Sequence, residues 1–319
     1  MGGGRFNPTD WDQFKTVHSV AGKSPTQNFS SRAVADFDPA TIVRRQSCET
    51  ADKPQVTPVI IALDVTGSMG EIPNALIQGG LGTLMEQILA RGSIPNPHVM
   101  FMAVGDVTCD GSPLQVTQFE ADIRIADQLK KLYLEGGGGG NGSESYPIAW
   151  HFAATKTDLD CFKNRGEKGI LFTIGDDNAP RGLSAAAIHR FMGVKPERDL
   201  STAEILAQTQ MMYEVFHLNL TQSSTCTRDV LANWNALLGE RSMLVNDYTK
   251  LAEIIVSTID LLRGRAKDEI IASWKGDSTQ LVIAKALEKL EITPSATAGG
   301  VFRLPGAKAA KHRMGGSGL

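Results

Sequence analysis

The sequence predicts an α/β protein: a doubly wound, mostly parallel sheet flanked by helices, with one antiparallel edge strand. Three observations carry this. Apolar runs of strand length recur at Pro58–Leu63, His98–Val104, Gly169–Ile174 and Tyr213–Leu220, and near-continuous apolar runs mark strands covered on both faces. Stretches of helical period separate them, and strand–helix alternation implies parallel pairing through crossovers. Three runs lead into an aspartate (Asp64, Asp106, Asp176). Parallel strands bring these to one edge, where open α/β sheets place their ligands.

Residues 1–55 are polar and broken by Asn7-Pro8, Ser24-Pro25, Asp38-Pro39 and Lys53-Pro54. They read as an extension that wraps or frays, with short helices near Thr9–Phe14 and Pro39–Arg45 and with Trp11, Phe14, Phe29 and Phe37 available for docking. Arg44 and Arg45 read as a solvated pair. After the first strand, Ile72–Ala90 carries Ile77, Leu81, Leu84, Met85 and Ile88 at three- and four-residue spacing, with Gly92 as its stop. Leu114–Phe119 alternates, as an edge strand with one wet face does, and Asp122–Glu135 is an amphipathic helix.

The glycine- and serine-rich turn from Gly136 to Pro147 opens a helix through Thr155, with Pro147 in its first turn and Ser143 or Ser145 as cap. Asp158 and Asp160 read as a solvated loop. Ser184–Gly193 and Ser201–Met212 are helical, the second opened by the capping-box pattern Ser201-x-x-Glu204. Helices Arg228–Gly239 and Tyr248–Arg263 flank a short strand, Ser242–Asn246, and Ile270–Ile292 is mostly helical. The expected division is an extension (1–55), one large domain (56–263), a helical segment (264–292) and a disordered tail (293–319).

Composition narrows the function class. A chain of 319 residues, 42% hydrophobic and 21% charged, buries an ordinary globular core. A net charge of −3 gives no general pull toward nucleic acid or anionic membrane. Four separated cysteines without Cys-x-x-Cys fit reduced thiols, and the six histidines form no His-x-x-x-His zinc pattern. No run approaches the ~18 apolar residues of a membrane span. The start, Met1 to Phe6, lacks an apolar signal core and has Phe6 where a myristoylation signal has Ser or Thr. A soluble, cytoplasmic protein is expected.

The chemistry concentrates after the first strand, in Asp64-Val-Thr66-Gly-Ser68-Met-Gly70. One carboxylate and two hydroxyls at alternate positions are hard oxygen donors suited to Mg²⁺ or Mn²⁺. Asp106, Asp176 and Asp177 follow later strands.

Asp64-x-Thr66-x-Ser68 after an apolar strand, with Asp176 after a later one, resembles the von Willebrand factor type A (VWA) domain and its metal-ion-dependent adhesion site (MIDAS). The resemblance covers about two-thirds of the chain and is nearest to bacterial and phage intracellular members. It implies that Asp64 and Asp176 hold metal-bound waters while Thr66, Ser68 and a second-loop hydroxyl ligate directly. It further implies an adaptor that binds a partner's carboxylate, with a MoxR-type AAA+ ATPase as associate. The second loop departs from the family: no Thr lies between Gly136 and Pro147, and Gly142 falls at its position if Glu144 is aligned with the relatives' acidic residue. Asn141, Ser143, Glu144 or Ser145, or else water, must substitute. Ser143 is favoured because it can also cap the helix, and a bound Glu144 would neutralise charge needed for an external carboxylate.

Other readings are weaker. A haloacid-dehalogenase-type phosphatase needs a carboxylate where Thr66 stands, and Gly-Asp176-Asp177 lacks a polymerase's companion acids. The five glycines follow a helix, unlike a dinucleotide fingerprint, and no Walker motif is present. Two alternatives to a binding module remain: a metal-dependent hydrolase with Asp106 or Glu144 as base, and a phage or virion assembly component.

Overall fold

The strands are, in chain order, β1 (Arg45–Ser47), β2 (Val56–Asp64), β3 (Asn96–Val104), β4 (Leu114–Val116), β5 (Thr157–Leu159), β6 (Gly169–Gly175), β7 (Gly182–Leu183), β8 (Leu200–Ser201), β9 (Tyr213–Leu220) and β10 (Ser242–Val245). They are seen in a computed structural model that describes residues 4–137 and 142–292. Six form one sheet in the order β10-β9-β6-β2-β3-β4, in which only the β3–β4 pair is antiparallel. This is the doubly wound α/β sheet with one antiparallel edge strand that the sequence predicts. The chain steps from β2 to β3 on one side and later crosses back to β6 on the other. The strand order therefore reverses between β2 and β6, which opens a crevice beyond their carboxyl ends.

Alternate side chains of each strand serve opposite faces. Val59, Ile61 and Leu63 of β2 join one core with Phe101, Phe172 and Phe216; Ile60 and Ala62 join the other with Met100, Leu171 and Val215. All nine residues of β2 are buried. Pro58 lies ahead of the β6 pairing, which begins at Val59, so its missing N–H leaves no gap on that side. The second core is closed by helix Tyr146–Lys156, apolar nearly all round as a fully covered helix is.

The helix after β2 begins α-helical at Ile72–Ala75, widens to a π turn over Leu76–Gly80, and resumes over Leu81–Arg91. Gly92 ends it in the left-handed conformation, as expected. The helix expected over Asp122–Glu135 is shorter, Arg124–Lys130. Beyond it, Tyr133 runs extended and exchanges two hydrogen bonds with the Gln115 side chain, at 2.8 and 2.9 Å. Those bonds let β4 bury all three of its residues, so the wet face expected there does not exist.

The N-terminal extension wraps. Helix Pro8–His18, capped by Asn7, buries Trp11 and Phe14, and Phe29 and Phe37 join the same core. Asn28 donates to Asn74 Oδ1 at 2.8 Å and ties the extension to the helix start behind the Asp64 loop. The helix expected at Pro39–Arg45 is absent; the segment turns and enters β1, which pairs with β5. Arg45 is not solvated, because its guanidinium is buried and donates to the carbonyls of Asp36 and Val116. Burial lowers its pKa to about 10. Asp158 and Asp160 do not form a solvated loop either: Asp158 pairs with Lys163 and Asp160 accepts the Glu49 N–H at 2.8 Å.

The C-terminal helix expected over Ile270–Ile292 is two, Lys267–Ala272 and Asp277–Leu287, broken before Gly276. They dock through Ile270, Trp274 and Ile283, while Arg91 stacks on Trp274 and bonds buried Asp260 at 2.9 Å. The expected disordered tail, 293–319, lies outside the described residues.

Gly82 records how closely the extension approaches: a Cβ there would stand 2.1 Å from Trp11 Nε1. Gly→Ala ordinarily favours a helix interior by ~1 kcal/mol. Here Gly82→Ala is expected to destabilise by ~1–3 kcal/mol through overpacking. The midpoint of denaturant unfolding, followed by Trp fluorescence, reads the sign.

Candidate metal centre

Strands β6, β2 and β3 are adjacent, so Asp176, Asp64 and Asp106 stand side by side at their carboxyl ends. Asp64 closes β2, where its backbone is locked into the sheet. The chain then turns through a short 3-10 segment, Gly67–Met69, while Met69 buries itself as an anchor. Gly70 leaves the turn at φ 46°, a conformation suited to glycine. The turn is pinned by the Val65 N–H on Val104 O and the Gly67 N–H on Gly137 O, at 3.0 and 2.7 Å.

The oxygens of four predicted residues converge here. Asp64 Oδ1 accepts from the Thr66 N–H at 2.9 Å and from its hydroxyl at 2.6 Å. Thr66 Oγ1 lies 3.4 Å from Ser68 Oγ, which donates to Asp176 Oδ1 at 3.0 Å. Asp64, Thr66, Ser68 and Asp176 thus form one chain of contacts across the crevice where the strand order reverses. The outer oxygens are held from behind. Tyr146 donates its hydroxyl to Asp64 Oδ2 at 2.7 Å, and Ser223 donates to Asp176 Oδ2 at 2.5 Å.

The remaining predicted residues divide. Ser143 is half-buried and bridges by its backbone to Asn178, which also takes the Glu144 N–H at 3.0 Å. Ser145 occupies the helix N-cap position, but its hydroxyl makes no cap bond there. It donates instead to Asp106 Oδ1 at 3.2 Å and accepts from the Val107 N–H at 3.0 Å. Ser143 precedes that position by two residues and is not the cap. Asp106 organises its own loop by accepting the Thr108 N–H and hydroxyl. Asp177 is half-buried, accepting at its carbonyl from Trp234 Nε1 and at its carboxylate from the Asn178 N–H. Asn141 lies outside the described residues.

Burial dominates the electrostatics. Asp64 is fully buried, which raises its pKa to about 7; its hydrogen bonds oppose the rise and nearby Asp176 adds to it. Glu144 is buried with Oε2 lacking a hydrogen-bond partner, and desolvation followed by Asp64, Asp106, Asp110 and Asp177 raises it to about 9. Asp177 is also raised, chiefly by burial. Among the described residues, no group of three or more His, Cys, Asp or Glu is placed to hold one ion. A cation here would rest on Asp64 and Asp176 with hydroxyl oxygens. That donor set is hard, and its two negative charges match a dication.

Tyr146 and Ser223 were not singled out from sequence. Ser223 had a signal, since Thr221-Gln-Ser-Ser-Thr225 is a hydroxyl-rich loop following another strand of the sheet. Tyr146 had none. It fits only because Gly175 faces it: a Cβ there would stand 1.9 Å from the Tyr146 hydroxyl.

No protein-family profile matches the chain, and no curated protein does. Among solved structures it is similar to the pilus adhesin SpaC from Lactobacillus rhamnosus GG, at 12% identity and a TM-score of 0.44, over 72% of this chain and 32% of the adhesin. It is also similar to proximal thread matrix protein 1 from the mussel byssus, at 10% identity and 0.40, over 67% of this chain and 48% of that protein. The chain thus spans about a third of the one and half of the other. Likeness at this level carries no argument about function. Among the described residues, no helix is long and apolar enough to cross a membrane.

The raised carboxyls set a pH dependence. Asp64 ionises near 3.8 when unfolded and near 7 when folded; Glu144 does so near 4.5 and near 9. Between those values the folded chain binds more protons than the unfolded one, so stability falls as pH rises. Without divalent metal, the unfolding free energy from urea titration, and the urea midpoint with it, is expected to decline from pH 5 to pH 8, the free energy by ~1 kcal/mol or more. Asp64→Asn should flatten the decline over its lower part. A midpoint that climbs with pH would contradict the assignment.

Proposed function

We propose that the chain is a divalent-metal-dependent protein-binding module of the VWA type, using a MIDAS-type site to bind an acidic residue of a partner. One observation supports this most: the contacts running Asp64–Thr66–Ser68–Asp176 across the crevice between β2 and β6. Asp64, Thr66, Ser68 and Asp176, with Ser143 from the second loop, would hold Mg²⁺ or Mn²⁺, which supplies a Lewis-acidic position for a carboxylate oxygen. Tyr146 and Ser223 fix the outer carboxylate oxygens and so aim the inner ones at the crevice, as residues behind a metal site do. In the metal-free chain, burial and the neighbouring acids raise the pKa of Glu144; a bound dication would act in the opposite direction. An adaptor role in the cytoplasm beside a MoxR-type AAA+ ATPase belongs to the same proposal and rests on the sequence resemblance alone.

Pull-down from a lysate of the source cells, in Mg²⁺ against EDTA, is the direct test. The partner should be retained only with Mg²⁺, and Thr66→Ala combined with Ser68→Ala should lose it while the chain stays folded by circular dichroism. Retention in EDTA would defeat the proposal. Tyr146→Phe and Ser223→Ala should each raise the Mg²⁺ concentration needed for half-maximal retention, by ~10-fold.

A further inference from the structure

The Asp64 loop has a second side. Behind Thr66 and Gly67 lies a cavity of about 380 Å³ whose other walls include Pro25, Thr26 and Phe29 of the N-terminal extension and Leu134. Among the described residues, no Asp, Glu, Lys or Arg lines it. The two sides of the loop are therefore opposite in character, with Asp64, Asp176, Asp177 and Glu144 beyond it and an uncharged, largely apolar hollow behind. Thr66 belongs to both, since it bonds Asp64 and lines the hollow. The wall built by residues 25–31 is held in place by Phe29 in the core and by the Asn28–Asn74 bond.

We propose that this cavity receives an apolar side chain of the same partner segment whose carboxylate reaches the Asp64–Asp176 crevice, so that the module reads an acid together with an apolar neighbour. The inference rests on the function proposed above. Exposed Gly67 lines the hollow and is followed by exposed Ser68 of the crevice; that continuity of surface, and the lack of a charged lining residue among the described residues, select this occupant. An acid in the hollow would lose water without a counter-charge, whereas an apolar side chain buried there strengthens binding by ~10-fold or more. On this view residues 25–31 are part of the recognition surface.

A displayed library of random linear peptides, selected on the full chain in Mg²⁺ and eluted with EDTA, tests both readings. The expected selectants carry an Asp or Glu with a large apolar residue at a fixed offset, and replacing that residue by Gly weakens binding ~10-fold. Thr26→Lys, at an exposed rim position, should erase the apolar preference while keeping the acid and the melting temperature; Thr26→Val should retain both. An acidic consensus without a placed apolar residue, or a preference untouched by Thr26→Lys, overturns the inference and leaves the metal site standing. Peptides without an acid that bind equally in EDTA would give the hollow another occupant and overturn both readings. The absence of any EDTA-eluted peptide would do the same.

Discussion

Two carboxylates, Asp64 and Asp176, are fully buried at the ends of neighbouring strands, and no Lys or Arg pairs with either among the described residues. Their hydrogen bonds come from hydroxyls and one amide. Like charges in a dry place repel each other and lose hydration, so one must take a proton or a cation must join them. Other features of this end of the sheet can be understood as answers to that constraint. Tyr146 and Ser223 bind the far oxygens, Thr66 and Ser68 span the near ones, and Asp64 drifts toward neutrality when nothing else compensates.

The same constraint orders the second loop. Ser145 and Asp106 satisfy each other, and Glu144 sinks among acids with one oxygen unbonded. The loop beside Asp106 therefore completes itself, whereas the Asp64–Asp176 pair faces inward across the crevice. That asymmetry separates the two halves of a carboxylate row that looks uniform when the strands are simply counted.

The strands and the Asp64-x-Thr66-x-Ser68 turn were legible in the sequence because each is a local pattern: an apolar run, then donors spaced within one turn. Asp176 was legible because it repeats that pattern on the adjacent strand. What escaped was nonlocal. Tyr146 reaches Asp64 across 82 positions and Ser223 reaches Asp176 across 47, and neither distance has a period to detect. Arg45 was misplaced for the same reason, since the carbonyl of Val116 that shelters it lies 71 residues away. The docking of Trp11 depended on Gly82, whose missing side chain reads in sequence only as a weak helix former. The wet face expected on β4 vanished because Gln115 found backbone partners in a segment predicted to be helical.

The π turn at Leu76–Gly80 bears on this geometry in another way. An α-helix advances about 100° per residue, and a π turn accommodates one residue beyond the regular count. The helical start at Ile72 and the core-bound stretch from Leu81 are therefore out of phase with what a continuous α-helix would impose. Losing one residue there would turn Ile72 by roughly a quarter turn relative to Leu81–Arg91 if the helix became regular. Because the Asp64 loop is held by the sheet and by Gly137, the helix start could follow only by giving up its buried contacts, so the join between loop and helix is written partly as a chain length.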